Sequence, residues 1–526
     1  AGWISPGGLN HLCDLLQVPP AEAYGVATFY ELFRTEDPGD TRSVHHVCLD
    51  TACRVQGAKD LALRLEAEGR RVHRGPCLGQ CERAPAQFVQ GVGGEPDHVP
   101  AETADALAPD SYRLPQHGSP DLRILHRVGV VDPTSLVSYR EHGGYQMLAH
   151  AIEVGTDRVI EEISAAELSG RGGAAFPTGV KWRAVADEPG PRKHVIANAD
   201  ESEPGTFKDR VVMAHDPFAV VEALTIAGLT VGAEEGWIYI RGEYPLATDR
   251  LVGAIEQART AGLLGADVMG SGRRFDIEVR RGAGAYICGE ETALMESIEG
   301  RRGEPRNKPP FPTTHGLFGQ PTAVNNPETL LNVLDVLDRG SEAYAAVGSD
   351  RSNGHRLFCV AGHVARPGLY EVPFGERLGD VIELAGGPTG ELRAVLLGGA
   401  AGSFVGPDQL DLEMSLEATR AAGVSLGSGV ITLFDTSVDF DDLVVRIAEF
   451  FRSESCGQCV PCRVGTVRQH EVLVEMTDRG TLTHDRRSLI DDMAVAMADA
   501  SICGLGHTAA GAVRSAIRLG LIGGAR

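Results

Sequence analysis

Eight of the eleven cysteines fall into two groups of four whose spacing is typical of metal-cluster ligands. The first group consists of a Cys-x4-Cys pair and a Cys-x3-Cys pair, namely Cys48, Cys53, Cys77 and Cys81. Each iron of a 2Fe–2S cluster takes two cysteine thiolates, so two pairs on neighbouring loops suit such a cluster. Zinc is the alternative, but zinc ribbons favour Cys-x2-Cys pairs. We therefore predict a 2Fe–2S cluster for this group.

The second group combines a tight run of three cysteines with one distant cysteine. The run is Cys456, Cys459 and Cys462, and the distant member is Cys503. Such a set is the usual way to hold a 4Fe–4S cluster, because the loop wraps one face and the remote ligand closes the site. We predict a 4Fe–4S cluster here, with zinc again as the alternative. In a large chain of this kind, grouped cysteines indicate metal ligands more than disulfides.

The other three cysteines and the histidines show no ligand spacing. Cys13 and Cys359 are predicted to be small buried hydrophobic residues. Cys288 lies inside a Gly-rich loop, so contact with a cofactor is the alternative to packing. The 17 histidines include no His-x-x-x-His pair, and we assign none of them a role.

A Gly-rich stretch at residues 170–182 has the composition of a phosphate-binding loop; it reads Gly-Arg-Gly-Gly-Ala-Ala-Phe-Pro-Thr-Gly-Val-Lys-Trp. Glycines let backbone N–H groups approach an anion closely. Pro177 and Thr178 then lead into a predicted helix whose N-terminus attracts phosphate. Arg171 and Lys181 add full charges at either end of the loop. An ordinary Gly-rich turn is the alternative, but the cysteine groups favour a nucleotide site.

Further polar segments follow predicted strands. A strand at residues 194–197 leads into the acidic and amide residues 198–203, and a strand at 275–280 leads into a second Gly-rich loop at 282–292. Residues 308–312 and the Asn325–Asn326 pair are also polar enough to line a site. Ligands of α/β proteins bind at the carboxyl ends of strands, although a solvated acidic loop is the alternative for residues 198–203. Neither Gly-rich loop matches Gly-x-Gly-x-x-Gly, so we do not predict a Rossmann fold.

The order of the predicted helices and strands that carry these residues indicates a multidomain α/β and α+β chain. We expect a helical segment with a small α/β unit at residues 1–105, an α/β domain at 126–345, a small β-grasp-like domain at 355–430 and a helical domain at 436–526. A turn-rich linker is predicted at about 104–126, and residues 126–131 are predicted to open the next domain as a strand. A helix at residues 439–451 delivers the second cysteine group. We assign no chemistry to the β-grasp-like domain.

Composition restricts the classes of function. The chain has 526 residues, a formal net charge of −23 and 43% hydrophobic residues, enough for three or four domains of roughly 100–200 residues each. The acidic balance argues against nucleic-acid partners and anionic membranes. No apolar run is long enough to insert into a membrane, and no signal peptide is visible. We therefore expect a cytoplasmic protein.

Taken in order, these motifs resemble the NADH-oxidising flavoprotein module of respiratory complex I, as a fusion of two subunits. Residues 1–105 resemble the thioredoxin-like 2Fe–2S subunit. Residues 126–526 resemble the subunit that carries FMN, the NADH site and a 4Fe–4S cluster. The motifs Arg-Gly-Gly-x-x-Phe-Pro-Thr-Gly-x-Lys-Trp, Tyr-x-Cys-Gly-Glu-Glu-Thr and Ser-Cys-Gly-x-Cys-x-Pro-Cys carry the resemblance. Ala175 departs from it, because a glycine is usual at that position.

The resemblance implies a set of cofactor contacts. For FMN it implies Gly170, Arg171, Gly173, Lys181, Asn198, Asp200, Glu201, Tyr286, Gly289, Glu290, Asn325 and Asn326. For NADH it implies Gly172, Gly173, Ala174, Phe176, Lys181, Glu203, Tyr286, Glu291, Lys308 and Phe311. Phe176 and Phe311 offer faces for adenine. The Glu290–Glu291 pair would repel a ribose 2′-phosphate, which favours NAD over NADP. Glu203 is the residue expected to orient nicotinamide and is our candidate catalytic residue.

Such fusions are typical of the diaphorase subunits of soluble NAD-dependent formate dehydrogenases and of NAD-reducing hydrogenases. We expect the diaphorase (beta) subunit of a formate dehydrogenase, which exchanges hydride between NAD(H) and FMN. Single electrons would then pass through the clusters to or from an iron–sulfur-rich molybdenum or tungsten subunit in a hetero-oligomer. The alternatives are a nickel–iron hydrogenase diaphorase and a fused complex I type NADH dehydrogenase module. A redox-inert zinc-binding scaffold is an alternative of another class.

Overall fold

The first domain pairs a helical segment with a small three-stranded sheet. The computed structural model describes residues 2–37, 39, 42–92, 96–100, 114–190 and 192–523. The helices are α1 (Pro6–Leu16), α2 (Pro20–Ala27), α3 (Thr51–Val55) and α4 (Ala58–Ala67), and the strands are β1 (Val44–Cys48), β2 (Arg71–Gly75) and β3 (Gln87–Gln90). β1 lies between β2, to which it is parallel, and β3, to which it is antiparallel. Gly57, with φ of +86°, separates α3 from α4.

The second domain is built on a four-stranded parallel sheet in the order β6-β5-β4-β7. Its strands are β4 (His194–Ala199), β5 (Glu235–Ile240), β6 (Asp276–Arg281) and β7 (Thr322–Asn325). Its helices are α5 (Leu136–Glu141), α6 (Gln146–Val154), α7 (Thr156–Ala165), α8 (Thr178–Asp187), α9 (Lys208–His215), α10 (Pro217–Val231), α11 (Pro245–Thr260), α12 (Glu291–Ile298), α13 (Pro312–His315), α14 (Pro327–Arg339) and α15 (Ser341–Ala345). Because all four strands are parallel, the segments that follow them emerge at one edge of the sheet.

Helix α10 forms the centre of this domain and is buried along its whole length. Among the described residues, no single helix has the length and apolar character of a membrane span. The α9–α10 pair meets the length and composition criteria only as two helices bent by 99°.

The predicted strand at residues 126–131 is wrong, because these residues form successive turns. Three consecutive backbone N–H groups just before them, from Arg123 to Leu125, donate to the carboxylate of Glu371 at distances of 2.7–3.1 Å. These N–H groups therefore donate to a side chain and not to the carbonyl groups of a neighbouring strand. Residues 114–125 of the predicted linker are in turns and bends, and residues 104–113 lie outside the described part of the chain.

The third domain is a mixed five-stranded sheet in the order β11-β10-β12-β8-β9. Its elements are β8 (His355–Gly362), β9 (Gly368–Pro373), α16 (Leu378–Leu384), β10 (Leu392–Leu397), β11 (Ser403–Val405), α17 (Leu416–Ala421) and β12 (Val430–Asp435). The central pair β8–β12 is parallel, and the other pairs are antiparallel.

The fourth domain is helical and consists of α18 (Phe440–Glu454), α19 (Val460–Arg479), α20 (His484–Ala500), α21 (Gly504–Thr508) and α22 (Gly511–Arg518). Asp439 begins α18 by accepting a hydrogen bond from the Asp442 backbone at 3.1 Å, as expected of an N-cap aspartate. Ion pairs hold this domain against the first one: Arg54 contacts Asp442 at 2.6 Å, and Arg446 contacts Asp50 at 2.6 Å.

Candidate functional site

The four cysteines of the first group meet at one end of the three-stranded sheet. Cys48 ends β1, Cys53 lies in α3, and Cys77 and Cys81 lie on the loop after β2. All four are at most 3% exposed, and the Sγ atoms of Cys77 and Cys81 are 3.5 Å apart. Hydrogen bonds from the thiols of Cys48 and Cys81 lower the pKa of Cys77. Four buried sulfur atoms in one cluster are the donor set that a 2Fe–2S group requires.

The second group is assembled by the ends of three helices. The loop after α18 carries Cys456 and leads through Cys459, the N-cap of α19, to Cys462 inside that helix. Cys503 precedes α21 and faces the same region. Gly506 makes the approach possible, because a Cβ there would lie 3.1 Å from the Cβ of Cys462. The four thiols therefore fit a 4Fe–4S group, with Cys456 and Cys459 partly exposed.

The first Gly-rich loop presents its middle residues to solvent and its ends to the interior. Gly172, Gly173, Ala174 and Phe176 are exposed, and Gly173 has φ of +113°. A Cβ at Gly172 would lie 3.3 Å from the Cβ of Asn326. The open loop precedes the N-terminus of α8, so backbone N–H groups of both elements can receive a phosphate.

The two basic residues of this loop have different positions. Lys181 is partly exposed, and its Nζ atom donates to the carbonyl oxygen of Val324 at 2.7 Å and lies 5.8 Å from the ring centre of Phe176. Arg171 is fully buried: its guanidinium donates to Tyr344 Oη at 2.9 Å and lies 4.6 Å from the ring centre of Phe374. The structure therefore directs the charge of Arg171 into the interior, away from the open side of the loop. Gly170 closes the loop, since its N–H donates to the Phe176 carbonyl at 3.0 Å.

The acidic segment after β4 meets the second Gly-rich loop. Asn198 Nδ2 donates to the carbonyl oxygen of Gly289 at 2.8 Å. A Cβ at Gly289 would lie 3.4 Å from the Asp200 carbonyl oxygen. Burial raises the pKa of Asp200 to about 7. Glu201 is buried and caps α9, since its carboxylate accepts the N–H groups of Asp209 and Arg210 at 2.8 and 2.9 Å.

Glu203 lies where the second and third domains meet. Its carboxylate accepts a hydrogen bond from the Tyr286 hydroxyl at 2.6 Å and one from the Ala401 backbone at 2.9 Å. Burial raises the pKa of Glu203 to about 7, above its ordinary value of 4.5. Gly399 permits this contact, because a Cβ there would lie 2.4 Å from Oε1 of Glu203. The third domain thus contributes the β10–β11 loop to the site, which the sequence analysis missed; the only signal was its Gly-Gly-Ala-Ala-Gly sequence.

Lys308 joins the two glutamates at the start of α12. Its Nζ atom donates to Oε1 of Glu290 at 2.9 Å and to Oε1 of Glu291 at 2.7 Å. Glu290 also caps α12 through the N–H groups of Thr292 and Ala293. Phe311 is 57% exposed and Phe176 is 50% exposed, which leaves both rings open to a planar ligand.

The two asparagines after β7 are held by the interior. Asn325 accepts the indole N–H of Trp182 at 2.9 Å, and Asn326 caps α14 and accepts from Lys208 at 2.9 Å. Cys288 is also fully enclosed, and burial raises the pKa of its thiol to about 12, consistent with the predicted packing role.

The fold and the site together define the class of the protein: an oxidoreductase subunit that combines an FMN-binding domain with 2Fe–2S and 4Fe–4S domains. The family model described as the Nuo51 FMN-binding domain matches residues 163–335. The NADH-ubiquinone oxidoreductase-F iron–sulfur binding region matches residues 442–519, and the thioredoxin-like [2Fe-2S] ferredoxin matches residues 1–107. An SLBB domain model matches residues 357–400. The predicted fold class and the predicted FMN and cluster domains are thereby confirmed.

Curated relatives identify the family. The F 2 subunit of the NADH-quinone oxidoreductase of Rhizobium meliloti (strain 1021) is 42% identical over 75% of this chain and 94% of its own length. NADP-reducing hydrogenase subunit HndC of Solidesulfovibrio fructosivorans is 41% identical over 74% of this chain and 79% of its own length. The chain belongs to the family of NADH-quinone oxidoreductase F subunits, the NADH-oxidising flavoprotein subunits. A chain of the NAD+-reducing [NiFe]-hydrogenase in the air-oxidised state superposes with a TM-score of 0.83 at 32% identity, covering 98% of this chain and 89% of that one.

Proposed function

We propose that this chain is a diaphorase subunit that exchanges hydride with NAD(H) and relays single electrons to or from a separate catalytic subunit. One observation carries the proposal: hydrogen bonds extend from Glu203 and its neighbours toward both cysteine groups. Tyr286, which binds Glu203, also donates its N–H to Glu454, two residues before Cys456, at 2.9 Å. On the other side, Arg241 donates both to the Glu201 carbonyl at 2.9 Å and to the Cys77 carbonyl at 2.7 Å.

FMN, when bound, supplies the conversion between paired and single electrons. The residues of the chain bind the nucleotides and orient their reacting rings. The first Gly-rich loop and the N-terminus of α8 hold phosphate, and Phe176 and Phe311 flank the adenine. Glu203, held between Tyr286 and Ala401, accepts a hydrogen bond from the nicotinamide carboxamide.

Glu203→Gln tests this assignment, because the amide keeps the size of the side chain and removes its charge. A hydrogen bond to a charged acceptor contributes about 1.5–3 kcal/mol, so we expect kcat/KM for NADH with ferricyanide as acceptor to fall roughly 10- to 150-fold. Glu234→Gln, at an exposed glutamate, is the matched control and should leave the rate unchanged. Unchanged NADH oxidation by Glu203→Gln would reject the role of Glu203.

We propose NAD as the preferred dinucleotide, on the basis of Glu290 and Glu291. Lys308 offsets one of the two charges, so these three side chains together carry one negative charge toward a 2′-phosphate. Replacing Glu291 with Gln should lower the preference for NADH over NADPH, measured as the ratio of kcat/KM values. A ratio that stays constant would contradict this explanation of specificity.

For the partner we propose a molybdenum or tungsten formate dehydrogenase subunit, which the cluster motif and the fused architecture favour. The second candidate is a nickel–iron hydrogenase subunit, because a chain of an NAD+-reducing [NiFe]-hydrogenase matches 98% of this chain in structure. Metal analysis of the complex purified through this chain separates them: molybdenum or tungsten supports the first and nickel the second. Absorbance spectra of the same sample test the zinc-scaffold alternative, which predicts neither flavin nor iron–sulfur bands.

A further inference from the structure

Two histidines and a glutamate of the first domain form a cluster outside both cysteine groups. His46 on β1 and His73 on β2 are direct partners in the parallel register, and their ring centres are 5.0 Å apart. Glu31, from the segment after α2, reaches the same place and contacts Nε2 of His73. One ring nitrogen of each histidine and one carboxylate oxygen of Glu31 all lie within 4.8 Å of one another.

These atoms match the ligand preference of zinc. Imidazole nitrogen and carboxylate oxygen bind Zn²⁺ at about 2.0–2.2 Å, which places the ligand atoms of a tetrahedral site roughly 3.3–3.6 Å apart. None of their separations in the structure exceeds 4.8 Å, so the largest differs from this value by at most about 1.5 Å. Gly75 leaves the necessary space, since a Cβ there would lie 3.1 Å from both Oε1 of Glu31 and Cδ2 of His73.

The surroundings hold the ligands in place and leave a path for the ion. His46 is buried, and its Nε2 lies 3.3 Å from Oε1 of Gln90. Gln90 in turn donates to the Leu32 carbonyl, next to Glu31, at 2.8 Å. An acceptor on one ring nitrogen orients a metal-binding histidine and leaves its other ring nitrogen for the ion. The side chains of His73 and Glu31 are 43% and 26% exposed, so the open side of the cluster faces solvent.

We propose that Glu31, His46 and His73 bind one divalent transition-metal ion, Zn²⁺ being the best match, with water as the fourth ligand. The ion joins the segment after α2 to the sheet of the first domain. That segment is already bonded to the second Gly-rich loop, because the N–H groups of Glu31 and Leu32 donate to the carbonyls of Gly284 and Ala283 at 3.0 and 2.9 Å. The metal therefore fastens together the sheet that bears the first cysteine group and the loop that bears Tyr286.

The test is equilibrium dialysis of the holoprotein against Zn²⁺, with iron measured in each sample to verify that the cysteine groups keep their clusters. The wild-type chain should take up one zinc. Replacing a direct ligand should weaken zinc binding by more than the roughly 10- to 100-fold loss typical of outer-shell groups, so His73→Gln and Glu31→Gln should each exceed about 100-fold. His45→Gln is the matched control, because His45 neighbours His46 on β1 and contacts Gln87 instead.

Two results would overturn the proposal. One is a wild-type holoprotein that takes up no zinc at micromolar concentrations; the other is undiminished binding in both ligand variants. If a variant loses iron, zinc-edge anomalous scattering from crystals of the wild-type protein soaked in Zn²⁺ decides instead. A peak between the three side chains supports the site, and zinc found only elsewhere refutes it.

Discussion

Removing Arg241 should destabilise the junction between the first two domains, because the buried carboxylate of Glu243 would lose its charged partner. Arg241 and Glu243 are 4% and 5% exposed, and their charged groups are 3.0 Å apart. Breaking a buried pair from one side costs about 3–5 kcal/mol, most of it from the unpaired charge that remains. Arg241→Gln should therefore lower the free energy of unfolding by that amount. Arg241→Gln combined with Glu243→Gln should lower it by only about 1–3 kcal/mol, because then only hydrogen bonds are lost.

Arg259 and Asp276 supply the control, since their charged groups are 2.8 Å apart but 42% and 37% exposed. Exposed pairs contribute about 1 kcal/mol or less, so Arg259→Gln should be mild. The assay is urea unfolding monitored by circular dichroism, with each distinct unfolding transition fitted separately. Because Arg241 also donates to the Cys77 carbonyl, its loss should change the electron paramagnetic resonance spectrum of the reduced 2Fe–2S cluster. Equal losses for Arg241→Gln and Arg259→Gln, or no recovery in the double variant, would refute the reasoning.

Three further changes have defined outcomes. Gly79→Ala should lower the free energy of unfolding by about 2–5 kcal/mol, because φ is +62° and the new Cβ would lie 1.9 Å from the Tyr244 hydroxyl. Gly57→Ala is the control, because Gly57 has φ of +86° but open space around it. In the same urea assay it should lose only the backbone contribution of about 1–2 kcal/mol. Ala175→Gly should raise stability by up to about 1 kcal/mol, because Ala175 has φ of +53°; a lower unfolding midpoint would contradict this. The raised pKa of Glu203 means that its contribution to stability is full below pH 4.5 and is lost as the pH rises through about 7. Glu203→Gln should therefore gain relative stability between pH 4.5 and 7 in unfolding experiments, and a constant difference across that range would count against it.

The grouping of the second set of cysteines was predictable because the signal is local. Cys456, Cys459 and Cys462 are separated by single turns of chain, and the loop needs no distant partner to bring them together. The strands predicted at 194–197 and 275–280 were also recovered, as β4 and β6, because alternating strands and helices carry their own periodicity.

What escaped prediction depends on contacts between residues far apart in sequence. The turns at 126–131 follow N–H groups that bond to Glu371, about 250 positions later, and no local pattern announces such an acceptor. The loop that carries Ala401 was given no chemistry because its partner, Glu203, belongs to another domain. The charge of a residue did not show whether its side chain points outward or into the protein. Arg171 and Lys181 are both basic, yet the Arg171 guanidinium is buried and donates to the Tyr344 hydroxyl and the Asn353 carbonyl.

The bond between Glu203 and Ala401 also imposes an order on biosynthesis. The two residues are 198 positions apart, so a ribosome that adds 5–20 residues per second needs roughly 10–40 s to travel from one to the other. Throughout that interval the segment after the carboxyl end of β4 lacks the contact that the third domain later provides. During synthesis, the site around Glu203 is therefore incomplete and open to non-native contacts until the β10–β11 loop has been made.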